Sequence, residues 1–136
     1  MNGGVYMKVP DEIMGKYQEV LGYLNELIQF FEKYGVTGWV WRMKEARDEA
    51  MSQESTLEGI LNGLRIIDWY YGRGMGSMSD LLLSRENGIP IPPDEDEDEV
   101  NRKLEEIAYG KVARSVHVLE EEIKSLLLER DREGAE

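Results

Sequence analysis

The sequence has no cysteine, a single histidine (His117), four prolines and two phenylalanines. Without thiols there is no disulfide framework, no thiolate zinc site, no iron–sulfur cluster and no cysteine nucleophile. One histidine leaves no multi-histidine metal centre and argues against the usual nucleophilic triads. Positive charge is also scarce, because 16 Lys plus Arg stand against 28 Asp plus Glu, for a net charge of -12 and a pI near 4.6. The average field of such a chain repels nucleic acid, phosphate ligands and anionic membranes, and attracts basic protein. No run approaches the roughly 18 consecutive apolar residues of a bilayer span, and residues 1–8 lack a basic segment followed by an apolar one. The expectation is a cytoplasmic, non-catalytic protein with no cofactor and no metal, neither on a membrane nor directly on nucleic acid.

What is present suffices for a fold. With 136 residues, 41% apolar and 32% charged, the chain can bury a core without disulfides or metals. Pro10 stands where a helix begins, with Asp11 and Glu12 in its first turn. Ile13, Tyr17, Val20, Leu21, Leu24, Ile28 and Phe31 then recur at steps of three or four until Gly35. The spacing predicts a helix over 10–34. A second is expected from Thr37 as cap, with Trp39, Met43, Ala46 and Ala50 on one face. A third over 56–71 carries Leu57, Ile60, Leu61, Leu64, Ile67 and Tyr71 behind a Ser55/Glu58 capping box.

Alternate glycines then break the pattern, Ser77 to Asp80 has the spacing of a cap with an acidic first turn, and a short helical turn is expected at Leu81 to Ser84. The Pro-rich text up to Pro93 reads as an extended strap that tucks Ile89 and Ile91 against the helices. Six acids, Asp94, Glu95, Asp96, Glu97, Asp98 and Glu99, read as a solvated linker that also complements the dipole of the helix after it. A long helix follows to about Arg130, its stripe running from Val100 to Leu127, with a bend at Gly110 or a projecting end. The fold class is therefore all-α: a four-helix bundle-like single domain over 10–130, with a Gly-rich elbow and a long C-terminal helix. Residues 1–9 are expected to form a flexible leader and 131–136 a tail. Residues 94–136 hold 15 acids and 7 bases, so the C-terminal third is the acidic end.

The constellations in this text have bland readings. Gly72, Gly74 and Gly76 alternate as in phosphate-cradling loops, but no strand precedes them and no Gly-Lys-Ser/Thr follows, which leaves a tight turn. Asp94, Asp96, Asp98 and Glu105 match calcium-loop positions, yet Glu99 falls where the loop needs glycine. Trp39 and Trp41 stand about 200° apart on a helix, so one of them is exposed. Trp41 is the candidate interface anchor, and the acids Asp94 to Glu99 the candidate docking surface for a basic partner. Trp69 reads as core or groove packing.

The segment Gly74-Met75-Gly76-Ser77-Met78-Ser79-Asp80-Leu81, preceded by a Trp-containing amphipathic helix and an Ile/Leu-rich one, resembles small bacterial domains of unknown function with a Gly-Met-Gly-Ser-x-x-Asp-Leu signature. The resemblance covers roughly residues 20–83. Its signature residues here are Gly74, Gly76, Ser77 and Asp80, for which it implies no activity. In size and helical make-up such domains are similar to immunity-type proteins that neutralise a toxin of a competing or sibling cell. The functional expectation is an acidic immunity or antitoxin protein that occludes a basic effector, such as a nuclease toxin. The alternative is a structural or adaptor subunit that forms homo-oligomers through its long last helix.

Overall fold

The computed structural model describes residues 8–72 and 76–135, and among these the chain is helical with no strand. Helix α1 spans Asp11–Lys33, α2 Thr37–Met51 and α3 Leu57–Tyr71. A single 3-10 turn spans Met78–Asp80. The last helix, α4, runs over 97–135 without a break in helical backbone, but its middle, Glu106–Ala113, is π-helical.

Helix α1 forms because its apolar stripe has somewhere to go: Ile13, Tyr17, Val20, Leu21, Leu24, Leu27, Ile28 and Phe31 are all buried. Pro10 lies just outside it, and its carbonyl accepts the first helical bond from Met14 N–H at 3.0 Å. Val9 is buried as well, so the expected leader gives up its last residue to the core. At the other end Gly35 adopts φ 67°, Val36 N–H donates to Phe31 O, and Gly35 N–H donates to Glu32 O. That pair of bonds is a Schellman stop, which needs a left-handed residue and so uses glycine.

The Gly35 turn delivers a buried Val36 to the cap position of α2, so Thr37 is the first helical residue rather than the cap, and no side chain caps this helix. Helix α3 is capped one residue later than expected: Thr56, not Ser55, accepts from Gly59 N–H at 2.9 Å. The turn before it folds tightly over Gly59, where a Cβ would lie 2.2 Å from Gln53 O. Glu58, freed from a capping box, pairs with Arg130 of α4. Gly63 lets α1 and α2 meet on α3, because the Tyr17 hydroxyl crosses it to donate to Ala50 O.

Helix α4 runs antiparallel to α1, as the pairs Lys16–Glu122 and Lys111–Glu26, both at 2.8 Å, require. It packs on α1 through both its π segment and the segment Arg114–Ala135, and the latter also packs on α3. Helix α2 lies on the far side of α1 and α3, and one apolar core joins all four helices. Gly110 sits inside the π stretch, so the expected irregularity is a widened turn. Widening leaves carbonyls without regular partners. Tyr71 donates to Ala108 O at 2.6 Å, and the Ser115 hydroxyl lies against Lys111 O and Val112 O.

Three further expectations are corrected. The helical turn falls at Met78–Asp80, whereas Leu81 is extended and Leu83 is bracketed by Asn101, whose amide accepts from Leu83 N–H at 2.8 Å and donates to Leu83 O at 2.7 Å. A residue so held has neither backbone group left for a helix. The acidic run is linker only as far as Glu95: Asp96 holds the cap position, and Glu97, Asp98 and Glu99 form the first turn, where they complement the helix dipole as expected. Lastly, α4 continues through the expected tail to Ala135. The strap does tuck in as expected, with Ile91 buried and Ile89 half-buried.

Candidate binding cleft

The buried stripe of α3, Ile60, Leu64, Ile67 and Tyr71, turns Arg65, Asp68 and Trp69 outward. On α4 the buried pair Leu119 and Ile123 sets Glu120 toward α3. Between the two helices opens a cleft of about 780 Å³ lined by Arg65, Asp68, Trp69, Tyr71, Gly72 and Glu120. Its walls are fixed from behind. Tyr71 is tied to Ala108 of the π segment, and its ring meets Tyr109 edge-on at 6.1 Å. Trp69 stands 74% exposed with its ring 5.0 Å from Tyr70, and the Tyr70 hydroxyl donates to Glu49 at 2.7 Å.

Gly72, the first glycine of the elbow, also lines the cleft. Gly72 ends α3 at φ 74°, where a Cβ would come within 2.8 Å of Arg42. The Arg42 guanidinium stacks 4.6 Å from the Trp39 ring and donates to Gly76 O at 3.3 Å, so α2 holds both sides of the elbow. Gly76 also has positive φ, at 80°. Ser77 is buried, its hydroxyl 2.7 Å from that of Ser79, and Asp80 is exposed at the end of the 3-10 turn. Ser77 makes no side-chain cap. Gly74 lies outside the described residues.

The chemistry of the cleft lies in the two carboxyls that line it, Asp68 and Glu120. Burial pushes the Glu120 carboxyl up to about 7, and the hydrogen bond and charge of Asp68 push the same way, opposed by Lys124 and Arg65. A neighbouring carboxylate disfavours a second negative charge, so Glu120 keeps its proton up to neutrality. None of the ion pairs among the described residues includes Asp68, Glu120 or Arg65.

The sequence-predicted site residues lie elsewhere. Trp41 is 67% exposed on α2 and Trp39 is half-buried against Phe31, as the helical angle requires. In the acidic run Asp94, Asp96 and Asp98 are exposed, and the glutamates between them are half-buried. Glu95 pairs with Lys33 at 3.4 Å, Glu97 accepts from Arg85 N–H at 2.6 Å, and Glu99 pairs with Arg102. The calcium-loop spacing does not make a loop, since helix begins at Glu97, and no group of three metal-ligating side chains occurs among the described residues. His117 is exposed.

Sequence reasoning missed the cleft. Trp69 was within reach, because it stands two residues from both Ile67 and Tyr71 of the stripe, the same arithmetic that exposes Trp41. Glu120 carried no signal, one acid among 28. The chain matches no protein-family model, no curated protein and no solved structure. Among the described residues no helix is long and apolar enough to cross a membrane.

Proposed function

We propose that the protein is a non-catalytic binding module of the immunity or antitoxin type, which neutralises a basic effector by covering it. The observation that carries this reading is the α3–α4 cleft, where an exposed indole stands beside two carboxyls on a chain of net charge -12. A large aromatic anchor next to acids, in a field that draws in positive charge, suits capture of a Lys/Arg-rich surface. The exposed Asp94, Asp96 and Asp98 and Trp41 add to that field and contact area at the end of the bundle where α2 begins. The test is co-purification from the native cell at low and high salt, followed by expression of the captured protein alone and together with this chain. A basic partner that salt displaces, and that arrests growth unless this chain is present, supports the reading. An acidic or harmless partner overturns it.

The adaptor alternative rests on Val118 and Leu128, the two most exposed of the three exposed large apolar residues of α4, Tyr109 being the third. They stand roughly 80° apart around the helix and so do not make one seam. Sedimentation that shows a monomer at high protein concentration removes that alternative.

A further inference from the structure

We propose that the α3–α4 cleft is a receptor for one guanidinium group, an arginine side chain of the basic partner, held between the Trp69 indole and the Asp68–Glu120 carboxyls. The proposal rests on the binding-module reading and names the group its site takes. The cleft is open, about 780 Å³, and its aromatic wall is already braced by Tyr70. A guanidinium is planar, so it stacks on an indole face while its N–H edge meets two carboxylate oxygens; an ammonium ion does only one of these well. Among the described residues neither carboxyl is ion-paired, although Arg65 lies one turn before Asp68 on α3. Arg65 therefore acts as the resident competitor at the rim.

The guanidinium takes the place of the Glu120 proton, which passes to solvent. The groups that bear on Glu120 are Asp68 and Arg65 from α3 and Lys124 on its own helix, with exposed His117 one turn earlier. Because burial and Asp68 hold that carboxyl at about 7, the doubly charged pair becomes available as pH rises through neutrality. Affinity should then grow about tenfold between about pH 6 and about pH 8.

The experiment titrates N-acetyl-argininamide, N-acetyl-lysinamide and sodium chloride at equal ionic strength into the full chain. The Trp69 side-chain N–H resonance is followed, assigned with Trp69→Phe. Expected are a saturable shift for the arginine probe, a weaker one for lysine, tightening by about tenfold over that pH interval, and tighter binding still in Arg65→Ala. Glu120→Gln and Asp68→Asn should abolish both binding and proton release; Asp68 is exposed, so its variant tests the site even if Glu120→Gln unfolds. A shift that sodium reproduces, that does not depend on pH, or that survives in Asp68→Asn overturns the proposal. The two readings fail separately. Saturable arginine binding with no basic partner in the cell overturns the module, whereas a basic partner bound equally by Trp69→Ala and Asp68→Asn overturns the receptor.

Discussion

Single residues do two opposite things here, and Gly63 and Glu120 show both. A Cβ at Gly63 would lie 2.0 Å from the Tyr17 hydroxyl, itself held on Ala50 O. Gly63→Ala should therefore cost about 2 to 3 kcal/mol by overpacking, and Tyr17→Phe about 1 kcal/mol for the lost hydrogen bond. The pair together should cost less than the sum, because removing the hydroxyl relieves the clash. Additive losses in urea denaturation would show that the clash is relieved elsewhere. Glu120 instead stores a cost. The folded chain holds at about 7 a proton that the unfolded chain releases near 4.5. Its contribution to stability is thus complete in acid, declines as pH rises between those values, and is gone above them. Glu120→Gln should flatten that decline and raise stability above neutrality, by no more than about 1 kcal/mol once solvent screening of a partly exposed group is counted. Thermal melts across the interval that keep their slope in the variant would refute this.

At the scale of elements, the four helices were legible because each bears an apolar stripe at the helical period, and burial followed the stripes residue for residue in α1 and α3. The ends were less legible. Threonine and serine sit side by side at 55 and 56, and only the fold of the turn over Gly59 decides that Thr56 is the cap. Thr56→Ala should lower stability by about 1 kcal/mol and Ser55→Ala by far less; equal effects would return the cap to Ser55. The strap was legible only as not helical, because what shapes it comes from far along the chain. The Arg85 guanidinium donates to Ile91 O, Pro92 O and Glu95 O, while Asn101 brackets Leu83. Arginine and asparagine in a polar stretch carry no periodic sign of such roles. The cleft was illegible for a similar reason: Asp68 and Glu120 are 52 positions apart, and acids are everywhere.

For the molecule as a whole the quantity that bears on the proposed capture is the field, and the six acids do not contribute to it as one interchangeable block. Glu95, Glu97 and Glu99 are committed to Lys33, to the Arg85 backbone and to Arg102, so replacing them disturbs the strap and the start of α4. Asp94, Asp96 and Asp98 remain exposed. Exposed charges act mainly on the rate of encounter and are screened beyond about 8 Å at physiological salt. Changing these three to asparagine should therefore slow association with a basic partner at low salt, flatten the salt dependence of that rate, and leave the dissociation rate close to unchanged. The cost to the fold should stay near 1 kcal/mol, since Asp98 lies in the first turn of α4 and Asp96 at its cap. Trp69→Ala should do the reverse, raising dissociation and sparing the salt slope, because an aromatic anchor acts at short range. Stopped-flow association at several ionic strengths separates the two. If the three-asparagine variant associates as fast as the parent at low salt, the acidic end steers nothing and serves only the start of α4.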